Sequence, residues 1–326
     1  MMNTRKLGGT GLEVTELGFG AAPIGNLYRA ISDEQAIATV DAAWAGGIRY
    51  FDTAPHYGLG LSERRLGLAL ADRPRDEYVI STKVGRLLVP NPDPTGADSE
   101  GFDHADDLTR VRDYSAAGVR RSLEQSLERL GLDRIDIALV HDPEDHLQQA
   151  AEEALPALCE LREQGVIGAV GLGMNFVDPL HWFVTREQSA YSLDVILVAG
   201  RWTLLDRTAG RLLDACAERG VSVLSAAPFN TGLLAHREPP TDGYFNYEPV
   251  TADVLATARR FAATAEEYGS RLPQAAMRFP LRHPAVAAVV AGMQSPAEVT
   301  ANVELIADDL SGRAWQALEA LPPQLS

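Results

Sequence analysis

The chain of 326 residues has few of the features that mark secreted or membrane-bound proteins. It contains two cysteines, Cys159 and Cys216, and neither has the spacing of a zinc ligand. No apolar stretch reaches the roughly 18 residues of a membrane-spanning helix, and the N-terminal segment MMNTRKLGGTGLEV lacks the apolar core of a signal peptide. These absences predict a cytoplasmic protein with two reduced thiols and no metal site.

Positive charge is also scarce. The chain has 29 Lys and Arg against 45 Asp and Glu, for a formal net charge of -16, and no run of basic residues interrupts this excess. Nucleic acids and anionic membranes bind basic patches, so we expect neither as a partner. A small-molecule substrate fits this composition better, and nothing in the sequence indicates an oligomeric state.

What the chain does have is a regular alternation of short apolar segments with longer amphipathic ones. The predicted strands cover 15–23, 48–54, 78–84, 135–141, 169–175, 195–200, 221–228 and 285–293. The predicted helices cover 34–46, 62–71, 116–130, 147–164, 178–187, 207–219, 252–268 and 296–309. Eight strand-then-helix units favour a TIM barrel that forms one domain over residues 1–326. A doubly wound open sheet is the alternative, weakened because no G-x-G-x-x-G follows the first strand.

Three segments stand outside these units. Residues 3–14 form two short arms around Gly8 and Gly9, and we expect a β-hairpin that closes the bottom of the barrel. The connections 85–114 and 230–250 are longer than ordinary loops and follow predicted strands, so they belong to the C-terminal face, where barrel active sites lie. We expect both to cover the substrate.

Four polar side chains are predicted to converge on that face. Asp52 and Tyr57 lie in FDTAPHYGLGLSERRLG (51–67), at and just after the end of the second strand, while Lys83 ends the third strand and His141 the fourth. Neighbouring strands lie about 5 Å apart. Each residue alone has a structural explanation, but a buried ammonium requires a carboxylate partner, and the adjacent strand supplies one.

The set has a chemical meaning. A phenol with a pKa near 10 is a poor acid or base at neutral pH, and a nearby ammonium lowers that pKa. Asp52 would hold Lys83 in its charged form, and His141 would orient a substrate oxygen. The group can move a proton on or off an alcohol or carbonyl oxygen, and a redox reaction there requires a cofactor. A lyase that uses Lys83 as a Schiff-base nucleophile is an alternative, which a charged lysine disfavours.

Several segments carry a resemblance to a known family. They are GFGAAPIG (18–25), residues 51–67, STKVG (81–85), LVHDPED (139–145), GLGMN (171–175) and GMQSPAEVTANV (292–303). Through them the chain resembles the aldo-keto reductase superfamily over nearly its whole length. The resemblance implies a catalytic tetrad of Asp52, Tyr57, Lys83 and His141, with the tyrosine as proton donor or acceptor.

Two further segments, LVAGRWTLLDR (197–207) and APFNTGLL (227–234), resemble a sugar-oxidising branch of that family. The branch includes fucose, galactose and arabinose 1-dehydrogenases and pyridoxal 4-dehydrogenase. The resemblance implies oxidation of a cyclic hemiacetal to a lactone, on an L-fucose-, L-galactose- or D-arabinose-like aldose. A pyridoxal 4-dehydrogenase, a general aldehyde reductase and a cofactor-sensing protein with little turnover are the alternatives.

The resemblance also implies a nicotinamide dinucleotide, NAD or NADP, extended across the barrel top. The residues it assigns to the cofactor are Asn175, Ser225, Phe229, Asn230, Gly232, Leu233, Gly292, Gln294, Ser295, Glu298 and Asn302. Ser295 and Glu298 have the spacing of a capping box, which explains them equally well. Met174 replaces the serine that usually precedes the asparagine, and Ala226 and Ala227 stand where many relatives stack an aromatic ring on the nicotinamide.

The sequence after the eighth strand bears on the choice of cofactor. NADP-preferring relatives have basic residues in this segment, whereas GMQSPAEVTAN contains no Lys or Arg. The Glu298 carboxylate would repel a 2'-phosphate, so we expect NAD to be preferred.

The candidate substrate contacts are Tyr28 after the first strand, His56 beside Tyr57, and Trp202. His56 can hydrogen-bond a sugar hydroxyl, and Trp202 either walls the pocket or only buries its ring. The loop aromatics Tyr244, Phe245 and Tyr247 are further candidates, for which simple packing is the alternative.

Overall fold

The computed structural model describes residues 2–98, 100–187 and 190–325, and within them eight parallel strands close into a barrel. The strands are β1 (Thr4–Lys6), β2 (Glu13–Thr15), β3 (Leu17–Gly20), β4 (Tyr50–Asp52), β5 (Val79–Val84), β6 (Arg86–Pro90), β7 (Leu108–Arg112), β8 (Ile135–His141), β9 (Ile167–Met174), β10 (Val195–Ala199), β11 (Ser222–Ala226), β12 (Tyr244–Phe245), β13 (Glu248–Pro249) and β14 (Val286–Gly292). Around the barrel the order is β3-β4-β5-β8-β9-β10-β11-β14, and β14 pairs with β3. The predicted TIM barrel is confirmed, and the open sheet is excluded.

Helices surround this barrel. They are α1 (Asp33–Ala45), α2 (Leu61–Leu70), α3 (Ala116–Leu130), α4 (Leu147–Gln149), α5 (Leu155–Glu163), α6 (Val177–Thr185), α7 (Gly210–Arg219), α8 (Ala252–Glu267), α9 (Leu272–Arg278), α10 (Pro296–Ala307) and α11 (Gly312–Ala320). A π-helical turn, Ala150–Ala154, joins α4 to α5, so the predicted helix 147–164 is one continuous helical segment with an irregular turn.

Alternation along the strands divides the core into two layers. Ile137 and Leu139 of β8 point into the barrel and pack with Tyr50 and Leu224, whereas the intervening residues face the helices. Interior space is tight beside Tyr50. A Cβ placed on Gly18 would lie 2.6 Å from its ring, so this position of β3 requires glycine.

The predicted N-terminal hairpin is present at the barrel bottom. β1 and β2 are antiparallel, with Thr4 opposite Thr15, and Leu7 and Val14 are buried with the interior side chains of the barrel. The Gly8 N–H donates to Ser222 Oγ at 2.7 Å, at the start of β11. The hairpin therefore closes the end opposite the long loops.

Two helices were not predicted, α9 and α11. They pack with α8 around a second hydrophobic cluster that includes Phe261, Phe279 and Trp315. α9 has seven residues and starts beside Pro273, so it is too short to show a helical period. Ser311 accepts a hydrogen bond from Ala314 N, and this N-cap was a sequence signal for α11.

Both long connections lie at the C-terminal ends of barrel strands, as predicted. Residues 85–114 follow β5 and contain the antiparallel hairpin β6–β7, and residues 230–250 follow β11 and contain the short pair β12–β13. Among the described helices, none is long and apolar enough to cross a membrane. Cys159 and Cys216 are buried and unpaired, and the described residues contain no cluster of potential metal ligands.

Candidate active site

Lys83 is the centre of the predicted polar group. Its side chain is 1% exposed, and its ammonium donates to Asp52 Oδ2 at 2.8 Å, to the Thr53 carbonyl at 3.0 Å and to the Tyr57 hydroxyl at 3.0 Å. Three protons meet three acceptors, which satisfies an ammonium that is otherwise costly to bury. The structure thus brings Asp52, Tyr57 and Lys83 into direct contact.

Asp52 is held from its other side as well. Ser81 donates to Asp52 Oδ1 at 2.7 Å, and the buried Tyr50 hydroxyl lies 3.0 Å from Ser81 Oγ. Both carboxylate oxygens therefore have partners. Ser81 and Tyr50 were not predicted. The signal was the period of two along a strand, which places Ser81 on the same face as Lys83 and Tyr50 on the same face as Asp52.

His141 completes the group at the end of β8. Its ring is 6% exposed and lies edge-on to Tyr57, with 6.1 Å between ring centroids and an interplanar angle of 90°. The Tyr114 hydroxyl donates to the carbonyls of His141 and Asp142, both at 2.7 Å, and so fixes the strand end. Nδ1 of His141 is buried and has no hydrogen-bond partner within the described residues.

The electrostatics of the group differ in part from expectation. Burial lowers the pKa of Lys83, but Asp52 and Tyr57 more than offset it, and the lysine pKa lies above its ordinary value. Burial raises the pKa of Tyr57, and the Lys83 ammonium acts in the opposite direction without cancelling it. The expectation of a lowered tyrosine pKa is therefore wrong for the protein alone, because desolvation outweighs the charge. The Tyr57 phenol is protonated at neutral pH, and the charged Lys83 disfavours Schiff-base chemistry.

His56 lies between the proposed tetrad and the first long loop. Its ring centroid is 5.2 Å from that of Phe102 and 5.6 Å from that of His141, and its Nδ1 lies 3.3 Å from Arg86 Nη1. Burial, with Arg86 and Arg110 nearby, lowers the pKa of His56 to about 2. His141 also has a pKa well below its ordinary value, because burial and Lys83 disfavour its charged form. Both imidazoles are neutral.

Loop 85–114 covers His56 and Tyr57. The Phe102 ring stacks on Tyr57 at 6.1 Å and is 4% exposed. Arg110 pairs with both carboxylate oxygens of Asp98 at 2.6 Å and donates to the His56 carbonyl at 2.8 Å. Phe102 and Arg110 were missed, since a long loop has no period from which contacts can be predicted.

The residues assigned to a cofactor lie along the ends of β9, β11 and β14. Ser225 and Leu233 are buried, Phe229 is half-buried, and Gly292 is the last residue of β14. Asn175 Nδ2 donates to the Tyr247 hydroxyl at 3.3 Å, and Arg201 Nε donates to the Asn175 carbonyl at 3.0 Å. The second long loop thus reaches across to the end of β9.

Two buried oxygen atoms on this side are unsatisfied among the described residues. Asn230 Oδ1 and Gln294 Oε1 have no hydrogen-bond partner within the described residues. Asn230, Thr231 and Gly232 have φ angles of 45°, 59° and 88°, a left-handed run that is strained for the two non-glycine residues. Unpaired polar atoms and a strained turn at strand ends fit a bound dinucleotide, whose amide, ribose and phosphate groups supply donors and charge.

The start of α10 is capped as the sequence indicated. Ser295 Oγ accepts from Glu298 N at 3.3 Å, and Glu298 Oε2 accepts from Gln294 N at 2.9 Å, one residue earlier than in the usual capping box. Asn302, one turn further along α10, is buried at 7% exposure. The capping role of Ser295 and Glu298 is therefore present.

The candidate substrate contacts separate into two groups. Tyr28 is 65% exposed, and its N–H donates to the Gly101 carbonyl at 2.9 Å, which ties it to loop 85–114. The Trp202 ring instead packs on Phe279 at 5.3 Å and His283 at 5.6 Å. This favours the packing explanation for Trp202, whereas His56 does adjoin the proposed tetrad.

The chain is similar to known proteins along nearly its whole length. The profile described as "Aldo/keto reductase family" matches residues 16–322. The chain is 47% identical to D-threo-aldose 1-dehydrogenase from Pseudomonas sp. over 94% of each chain. It is 37% identical to pyridoxal 4-dehydrogenase from Microbacterium luteolum, covering 97% of this chain and 96% of that one. A holo-form aldo-keto reductase structure from Bacillus halodurans superimposes with a TM-score of 0.76 at 28% identity, covering 99% of this chain and 97% of that one.

Proposed function

Because this chain belongs to the aldo/keto reductase family, we propose that it oxidises the C1 hemiacetal of an aldose to a lactone, with NAD as hydride acceptor. The chain is an oxidoreductase of that family, and the family works with nicotinamide cofactors. Similarity to an aldose 1-dehydrogenase at 47% identity over 313 residues supports the substrate class.

The contact that carries the proposal is the one between the Lys83 ammonium and the Tyr57 hydroxyl, at 3.0 Å. In the oxidation Tyr57 first releases its own proton to solvent, and its phenolate oxygen then accepts the proton of the C1 hydroxyl, while a bound nicotinamide ring would accept the hydride from C1. A phenolate formed at Tyr57 is stabilised by Lys83, whose charge Asp52 maintains. His141, neutral and edge-on to Tyr57, orients the substrate oxygen by hydrogen bonding.

Binding of the cofactor is proposed at the ends of β9, β11 and β14. Asn175 would hold the nicotinamide amide, and the turn from Asn230 to Gly232 would contact the pyrophosphate. Asn230 Oδ1 and Gln294 Oε1, which are buried without a partner among the described residues, support this placement. A helix N-terminus at Ser295 favours negative charge, and Glu298 beside it supports NAD over NADP.

The proposal is tested by NADH formation with purified protein, using L-fucose, L-galactose, D-arabinose, pyridoxal and simple alcohols. We expect turnover on an aldose and a loss of about 10²- to 10⁴-fold in kcat for Tyr57→Phe. Cofactor binding, followed by quenching of intrinsic fluorescence, should be unchanged in that variant. Tyr268→Phe, at a tyrosine that is 40% exposed beside α8, is the matched control and should keep full activity.

Other outcomes would change the assignment. Turnover on pyridoxal or simple alcohols alone would keep the mechanism and reject the aldose. Cofactor binding without turnover on any of these compounds would instead favour a cofactor-sensing protein.

A further inference from the structure

An ion pair that the proposed tetrad does not use lies beside it. Arg86 is the first residue of β6 and Asp142 is the first residue after β8, and Arg86 Nη2 contacts Asp142 Oδ2 at 2.5 Å. The same Asp142 oxygen lies 3.5 Å from His141 Nε2, and the other end of the guanidinium lies 3.3 Å from His56 Nδ1. The pair therefore borders the nitrogen that is proposed to orient the reacting oxygen.

The pair is held in place at a cost. Asp142 has a φ of 45°, a left-handed conformation that is uncommon for an aspartate. Tyr114 donates to its carbonyl at 2.7 Å, and its own N–H donates to the Gly173 carbonyl at 3.0 Å. Strain of this kind persists where the surrounding contacts enforce it, and it concentrates at functional sites.

Attachment of the β6–β7 hairpin does not require the pair. Arg112 lies directly opposite Arg86 in the hairpin, and it already reaches the segment after β8 through Asp145 at 3.3 Å. The Arg112 pair is exposed, whereas the Arg86 and Asp142 side chains are 12% and 21% exposed. Burying a second ion pair here has a desolvation cost that attachment of the hairpin does not explain. The Arg86–Asp142 pair therefore has another role.

The hydrogen-bonding capacity of the pair is incomplete. No group of the described residues donates to Asp142 Oδ1, and Arg86 Nε likewise has no partner there. A carboxylate oxygen beside guanidinium N–H groups matches two neighbouring sugar hydroxyls, one donating and one accepting.

We propose that Arg86 and Asp142 form a hydroxyl-recognition pair that selects aldoses by the hydroxyl on C2. The inference rests on the proposed function. His141 Nε2 orients the oxygen on C1, and the hydroxyl on the adjacent carbon falls next to Asp142, whose Oδ2 lies 3.5 Å from that nitrogen. Asp142 accepts a hydrogen bond from this hydroxyl, and Arg86 donates to it or to its neighbour.

The test compares D-arabinose with 2-deoxy-D-ribose, its analogue without the C2 hydroxyl, as substrates with NAD. Wild-type protein should favour D-arabinose by about tenfold or more in kcat/KM. Asp142→Asn should lower kcat/KM for D-arabinose by about 10- to 100-fold, mainly through KM, because a hydrogen bond to a charged group is lost. For 2-deoxy-D-ribose, and for reduction of butanal with NADH, it should change less than about threefold. Asparagine tolerates the left-handed backbone, so folding is preserved.

Arg86→Lys gives an independent reading if Asp142→Asn does not fold. It keeps the charge but loses the forked geometry, and it should lower the preference for D-arabinose over 2-deoxy-D-ribose at least threefold. Arg112→Gln is the matched control on the opposite strand of the hairpin and should leave all three reactions unchanged.

Three results would overturn the inference while leaving the proposed function intact. They are equal losses on D-arabinose and butanal in Asp142→Asn, equal effects in Arg112→Gln, and a wild-type protein that does not distinguish the two sugars. Wild-type protein that reduces butanal but oxidises no aldose would instead reject the proposed function, and the inference with it.

Discussion

The two halves of the barrel mouth are built differently. At the ends of β4, β5 and β8, the polar groups are largely paired with one another, and all three protons of Lys83 have acceptors. At the ends of β11 and β14, by contrast, Asn230 Oδ1 and Gln294 Oε1 are buried without partners. The contacts of Lys83 and Asp52 are complete within the chain, and those of Asn230 and Gln294 are not.

The difference teaches what each region requires. A group that must hold a charge during a reaction gains from partners already in place, since no reorganisation is then needed in the transition state. A surface that binds a large polar ligand must instead keep atoms available, and the ligand offsets the cost of leaving them unpaired. Substitutions that act on stability in one region and on binding in the other would sharpen this contrast.

The largest effect on stability is expected for Asp52→Asn. It removes the carboxylate charge 2.8 Å from a fully buried ammonium, which should lower the free energy of unfolding by about 3–5 kcal/mol. Urea denaturation measures this. Asp41→Asn breaks the exposed pair of Asp41 with Arg73 and should cost less than about 1 kcal/mol. Similar losses of unfolding free energy in the two variants would refute the idea that the contacts of Lys83 with Asp52, Thr53 and Tyr57 are specially preorganised.

A pH-dependent effect of about 2 kcal/mol is expected from His56. Its pKa is about 2 in the folded protein, so below the ordinary value near 6.5 the unfolded chain takes up a proton that the folded chain does not. Stability should therefore fall by about 2 kcal/mol between pH 7 and pH 5 through this group. His56→Asn keeps an acceptor for Arg86 and should lose that dependence. An unchanged pH profile in urea titrations of the variant would contradict a neutral His56.

A smaller effect separates the two roles of Ser295. Ser295→Ala and Ser311→Ala each remove an N-cap hydrogen bond and should cost about 1 kcal/mol of stability. Only Ser295→Ala should also weaken NAD binding, as measured by fluorescence titration. Equal NAD affinity in the two variants would make Ser295 a cap and nothing more.

The smallest effect concerns the choice of cofactor. Glu298→Gln keeps an acceptor for the Gln294 N–H but removes the charge near the start of α10. NADP affinity should rise about two- to fivefold while NAD affinity stays constant, as expected for one charge at a helix terminus. A parallel change in both affinities would show that Glu298 acts through the helix cap. A wild-type preference for NADP would reject the predicted preference for NAD.

Much of the molecule was predictable because it depends on short, regular patterns. The eight barrel strands alternate or run apolar over lengths that a single window detects. Three of them place Asp52, Lys83 and His141 at or next to their C-terminal ends. The missed helices α9 and α11 are short, and α9 gains its stability from packing with α8. For Trp202 the sequence left two interpretations, a pocket wall and simple packing, and its ring packs on Phe279, because the course of the chain after β10 is set by distant contacts.

The sequence by itself determined the barrel, the strand ends and the identity of the proposed tetrad, since local periodicity and residue order are enough to place side chains on one face. Only the tertiary structure decided how those side chains behave. Burial raises the pKa of Tyr57 despite Lys83, and loop 85–114 brings Phe102 onto the Tyr57 ring from 45 residues further along the chain. Desolvation and long-range loop contacts depend on the surroundings of a residue in space, which its neighbours in sequence do not specify.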